Sequence, residues 1–183
     1  QKTAYEIGVR LVGSEMCIRD RVMYHKDVDP SGSSEDYYVN MTSSGSPGSS
    51  NSFLNQTAPT KDVISFGDSS FTNQSGHDYV GYIFASVEGF SKCGTYQGTG
   101  SQQNITCGFK PRFLMIRQVH DGSSFSGNDF VVWTAEEDNK RLKFGSSSSS
   151  DTYDHIDYIS NGFTVKDTGN ISNGNGRRYI YYA

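Results

Sequence analysis

Ile156-Asp157-Tyr158-Ile159-Ser160-Asn161-Gly162-Phe163-Thr164-Val165 sets two β-branched and aromatic runs on either side of an Asn-Gly step. Asn and Gly both accept positive φ, so the stretch predicts an antiparallel hairpin turning through Ser160-Asn161-Gly162. Similar runs extend in both directions. Upstream they are Val22-Met23-Tyr24-His25, Tyr37-Tyr38-Val39-Asn40-Met41, Val63-Ile64-Ser65-Phe66, Tyr79-Val80-Gly81-Tyr82-Ile83-Phe84, residues 93–97, 105–109 and 113–117, Phe130-Val131-Val132-Trp133 and Arg141-Leu142-Lys143-Phe144. Downstream, Tyr179-Ile180-Tyr181-Tyr182 closes the series. No window sustains a helical period over three turns. Twenty glycines and 13% aromatic residues are the usage of short strands joined by tight turns, so the fold class is all-β. The serine-rich residues 43–52 and 146–150 read as solvated loops, too short for domain linkers.

The strands recur in order. Asn73-Gln74-Ser75-Gly76-His77-Asp78-Tyr79-Val80-Gly81-Tyr82 parallels Asn173-Gly174-Asn175-Gly176-Arg177-Arg178-Tyr179-Ile180-Tyr181-Tyr182 at an offset of 100. Ile64-Ser65-Phe66 likewise parallels Phe163-Thr164-Val165, and Val22-Met23-Tyr24 parallels Val131-Val132-Trp133. A unit of about 100 residues suits a β-sandwich better than a solenoid repeat. Residues 22–89 are then the later part of a first unit lacking its opening strands, and residues 90–183 a nearly complete second one.

Residues 1–21 stand apart. Gln1-Lys2-Thr3-Ala4-Tyr5-Glu6-Ile7 and Leu11-Val12-Gly13-Ser14-Glu15-Met16-Cys17-Ile18-Arg19-Asp20 resemble translations of the constant parts of a short-read sequencing adapter. Natural sequence is expected to begin near Val22, residues 1–21 to pack poorly, and both ends of the chain to be set by the sequencing read. Of 16 basic and 20 acidic side chains, four and three fall in residues 1–21, leaving a net charge of −5 beyond them. A mildly acidic chain without a basic stripe lacks the electrostatic footprint of a nucleic-acid binder. No apolar run approaches the roughly 20 residues that span a bilayer, so no membrane insertion is expected.

Individual residue groups carry little chemistry. Cys93 and Cys107 flank what reads as two strands around a Gly-Thr-Gly-Ser turn, where they could face each other across a hairpin, as a disulfide or as two buried thiols. Asp27-Val28-Asp29-Pro30-Ser31-Gly32-Ser33-Ser34-Glu35 opens like a calcium loop, making Asp27, Asp29 and Glu35 the metal candidates. Its twelfth position is Tyr38 rather than a bidentate acid. His25, His77, His120 and His155 are scattered; only His155-x-Asp157 could share a strand face. Glu136-Glu137-Asp138 is the densest carboxylate run, and reads as a hairpin tip more simply than as a glycosidase pair. Tyr24, Trp133 and Tyr153 are the ligand-stacking candidates, with Tyr37, Tyr38 and Tyr96 as further rings; alternation turns half of any such set into the core. Asn-x-Ser/Thr sequons stand at Asn40, Asn55, Asn73, Asn104 and Asn170. No catalytic residue and no cofactor are expected.

Taken together, residues 79–100 resemble the junction between tandem domains in tail-fibre-like proteins of marine and other environmental phages. Gly108-Phe109-Lys110-Pro111-Arg112-Phe113 resembles that family's strand entry, and Asn55-Gln56-Thr57-Ala58-Pro59-Thr60 and Ile159-Ser160-Asn161-Gly162-Phe163 its later hairpins. Cys93 and Cys107 depart from the pattern, which has an aromatic and a threonine-like residue there. The resemblance implies tandem concanavalin-A-like sandwiches of jelly-roll type in a virion tail protein. It also implies a structural or adhesive role without enzymatic activity, a homo-oligomer (a trimer), and a host surface glycan as partner. A carbohydrate-binding module of a glycosidase or bacterial adhesin is the alternative, and a degenerate glycosidase of the same fold a third reading.

Overall fold

The protein is seen here in a computed structural model that describes residues 6–13, 21–136, 140–144, 151–152 and 154–183. It is all-β, with one short 3-10 turn, Ser34–Asp36, among the described residues. The chain divides into two compact units, one of Gln1–Thr42 and Pro47–Ser86, the other of Ser43–Ser46 and Val87–Ala183.

The first unit contains β1 (Glu6–Gly13), β2 (Arg21–Met23), β3 (Tyr37–Asn40), β4 (Gly48–Ser49) and β5 (Tyr79–Ser86). They form one antiparallel sheet in the order β4-β3-β2-β1-β5. Val22, Tyr24, Phe53 and Leu54 make its buried core, with Tyr38, Ile64 and Phe71 packed against them.

The second unit contains β6 (Cys93–Gln97), β7 (Gln103–Thr106), β8 (Phe113–His120), β9 (Val131–Thr134), β10 (Lys140–Lys143), β11 (Asp151–Thr152), β12 (Ile156–Ile159), β13 (Gly162–Val165) and β14 (Arg178–Tyr182). Six of these form the sheet β11-β10-β9-β8-β14-β6 and three the sheet β12-β13-β7. Alternation builds the core between the sheets. Tyr96, Leu114, Ile116, Val131, Trp133, Tyr179 and Tyr181 from the larger sheet meet Ile156, Phe163 and Val165 from the smaller in one buried cluster. Removing each large apolar side chain from water is worth roughly 1.5–3 kcal/mol, so this double layer holds the unit together.

The sheets of the two units share a register. In the second, Tyr181 lies opposite Ile116 and Ile116 opposite Val131; in the first, Gly81 lies opposite Leu11 and Leu11 opposite Val22. β1 pairs between β2 and β5, although it belongs to the segment expected to pack poorly. A β-prone run such as Ile7-Gly8-Val9-Arg10-Leu11-Val12 satisfies the backbone groups that β5 and β2 would otherwise leave unpaired, whatever its origin.

Four other expectations change. Residues 63–66 are not a strand: β13, the run they were matched to in the sequence, is held between β12 and β7, and no strand pairs beside residues 63–66 among the described residues. Residues 93–97 and 103–106 are strands, yet they do not form a hairpin. β6 pairs with β14 in one sheet and β7 with β13 in the other, so the Gly-Thr-Gly-Ser turn is a corner between layers. Cys93 on β6 and Cys107 just after β7 accordingly go with different sheets, and both are buried. Residues 43–52 include β4, paired with β3; residues 146–150 lie outside the described residues.

The hairpin that anchors the sequence reading is present, for a different reason. Ile159 pairs with Gly162, leaving Ser160 and Asn161 as the turn, and neither has positive φ. Glycine is required at 162 by close approach: a Cβ there would stand 1.9 Å from the Ile105 carbonyl oxygen of β7. Gly162→Ala should therefore cost the second unit more than about 1 kcal/mol in urea unfolding, whereas Ser160→Ala on the exposed turn should change it by less than about 0.5 kcal/mol.

Candidate functional site

Among the described candidates, Asp27 and Glu35 gather near Tyr24, whereas Trp133 lies in the core of the second unit. Asp29 is 7% exposed and spends its carboxylate on its own loop: Oδ1 accepts from the Ser31 amide at 2.9 Å, and Oδ2 from the Ser33 amide at 3.1 Å and the Ser31 hydroxyl. Asp27 pairs with Lys26 at 3.2 Å. Asp27 and Glu35 both lie near the Tyr24 phenol, which burial first and these carboxylates second raise to about 12. The calcium-like sequence thus builds an Asx-type turn. Among the described residues no three His, Cys, Asp or Glu side chains are grouped to hold a metal.

The stacking candidates are packing residues. Tyr24 and Trp133 are each 3% exposed, and each fills the core of its own unit, beside β2 and on β9 respectively. Neither ring offers a free face to a sugar. Tyr153 lies outside the described residues, as do Glu137 and Asp138. Tyr96 stacks on Tyr179 with centroids 5.1 Å apart, and Tyr38 lies 4.7 Å from Phe71.

His155 Nδ1 lies 3.8 Å from Asp167, whereas Asp157 takes Lys166 at 2.8 Å. Burial lowers the His155 pKa, against the opposing pull of Asp167. Glu136 is engaged by Arg112 on the surface. Arg117, fully buried on β8, donates to the Gly45 carbonyl at 2.7 Å and lies 4.9 Å from the Phe130 ring centroid. Desolvation lowers its pKa to about 10, still charged at neutral pH. Arg117 was not singled out in the sequence, because nothing local separates it from a solvated strand residue.

The best-organised polar feature is the turn ahead of β14. The Gly174 N–H donates to the Tyr179 hydroxyl at 2.8 Å, and that hydroxyl donates to the Asn170 carbonyl at 2.8 Å. Asn173, wholly buried, seats the corner between β6 and β7. Its Oδ1 accepts from the Thr99 amide at 2.9 Å and from Gln103 Nε2 at 2.7 Å, and its Nδ2 donates to the Ser101 carbonyl at 2.7 Å.

The first unit has the same tyrosine-anchored bonds in its turn, without those of the asparagine side chain. The Gln74 N–H donates to the Tyr79 hydroxyl at 3.1 Å, which donates to the Ser70 carbonyl at 2.7 Å. Asn73 N–H bonds Ser69 as Asn173 N–H bonds Gly169, and Gly76 and Gly176 have φ of +80° and +72°. The 100-residue offset pointed to these residues; their hydrogen-bonding role was not visible in it.

The architecture defines an all-β, sandwich-like protein whose recognisable polar sites are turn-forming. The chain belongs to a family described as a domain of unknown function, DUF7483, whose model matches residues 9–183. No curated protein and no solved structure matches it.

Tyr179→Phe leaves a buried amide and carbonyl without a partner and should destabilise the second unit by about 1–3 kcal/mol. Tyr79→Phe, in the more exposed counterpart, should cost about 0.5–1.5 kcal/mol, and thermal unfolding of the two variants reads both.

Proposed function

We propose that the chain is a structural and adhesive repeat module of a phage tail fibre or related virion protein, built from tandem concanavalin-A-like jelly-roll sandwiches of about 100 residues. The observation that supports it best is the recurrence of one turn, with its tyrosine, asparagine and glycine, at a fixed offset and in one sheet register. Repetition of this kind makes a rigid series that presents the same loops many times, so that binding weak at each copy gains strength from number. The reading gives the module no catalytic step and no cofactor; Asp29 and Glu136 are already engaged by neighbours. It would work as a homo-oligomer, a trimer by the tail-fibre likeness, with host surface glycans as ligand.

Exposed turns offer one surface for such contact. Asp121 accepts from the Ser123 and Ser124 amides at 2.9 and 2.8 Å, which hold its carboxyl below the usual range and fix an exposed loop after β8. Binding of the chain to a glycan array, with whole host-type cells alongside, tests the adhesive role. Saturable binding to one glycan class, lost on removing that glycan from the cells, is expected. Silence on both would reduce the module to a spacer.

A further inference from the structure

In the second unit one continuous segment, from β6 through β7, covers three surfaces. β6 pairs along β14 from Arg178 to Tyr182, β7 pairs along β13 from Gly162 to Val165, and the corner between them seats on the Asn173 amide. The first unit has matching positions, and among the described residues no strand covers any of the three. β5 ends its sheet. Val80 and Ile83 are 54% and 57% exposed, where the aligned Ile180 and Ala183 are 1% and 7%. Phe66 is 39% exposed where Val165 is wholly buried. Asn73 occupies the turn position of Asn173 with its side chain in solvent.

We propose that the first unit is an acceptor for a β6–β7-type peptide segment of this family: an extended strand, a glycine corner and a second strand, laid antiparallel along β5. The inference rests on the equivalence of the two units proposed above. One segment accounts for three separate openings, each closed by that segment in the second unit. The register follows from β14, where Ala183 N–H donates to the Lys92 carbonyl and Gly98 N–H to that of Arg177. Backbone groups of odd-numbered β14 residues thus face β6, which turns those of Gly81 and Ile83 to the open edge of β5. The corner needs glycine: a Cβ on Gly98 would meet the Gly174 carbonyl oxygen at 2.2 Å, and the turn at Gln74 sets the same limit. Specificity also differs in one place. On β6, a Cβ at Gly94 would meet the Tyr181 ring at 2.6 Å; β5 has Gly81 there, so the incoming strand can carry a large side chain at that position.

The test is binding of a fluorescein-labelled peptide of residues 91–108 to the full chain, read by fluorescence anisotropy. Saturable one-to-one binding is expected, weakened at least about tenfold by Ile83→Pro, which removes an edge donor, and by Asn73→Ala, which removes the corner seat. A Gly98→Val peptide should bind at least about tenfold more weakly for the same reason of fit. No saturable binding, or binding indifferent to both chain variants, would overturn the proposal. If Tyr79→Phe leaves thermal unfolding unchanged, the equivalence of the units fails. If Tyr79→Phe destabilises the chain and the peptide is still ignored, only the acceptor fails.

Discussion

Phe163 against Tyr181, ring centroids 5.3 Å apart and edge to face, is the contact on which the second unit depends. It joins β13 of the smaller sheet to β14 of the larger, and neither sheet can bury its apolar face without the other. Several sequence choices follow. Gly94 leaves room for the Tyr181 ring and Gly162 for the β7 backbone. Tyr96 stacks on Tyr179, whose hydroxyl ties down the turn that carries Asn173. Asn173 in turn fixes the corner that leads the chain from one sheet to the other.

The first unit shows what the second sheet contributes. It has the same turn and the same sheet register, but among its described residues no strand pairs beside residues 63–66. Ile64 still reaches the core, while Val63 and Phe66 remain largely exposed. A run of β-branched and aromatic residues becomes a strand only when backbone partners are at hand.

Local pattern made the strands legible, and pairing made the rest illegible. Alternation found β8, β9, β13 and β14 because their inward residues are large and regularly spaced. It missed β4, whose Gly48-Ser49 has no apolar signal and is a strand only because β3 lies alongside. It joined β6 to β7 as a hairpin because Gly-Thr-Gly-Ser is also a good hairpin turn; only the partners across the layers separate them. Asn161-Gly162 gave the correct hairpin by a rule whose backbone condition the turn does not meet. The same limit applies to the site. Tyr24 and Trp133 carry the right chemistry for stacking, but whether a ring faces the core or a ligand depends on strand register, which composition does not specify. Asp29 looked like a ligand because its loop has the spacing of one, and its oxygens are taken by the loop's own amides.

Amide hydrogen exchange on the full chain tests the central claim most directly, namely that a two-sheet core closes the second unit and that β5 of the first, an edge strand among the described residues, is not closed in the same way. The account requires Ile180, Tyr181, Phe163 and Val165 to exchange slowest and together, and Gly81 and Ile83 on β5 to exchange at least about 100-fold faster through local opening. Equal protection of β5 and β14, or protection of β14 without β13, would contradict it.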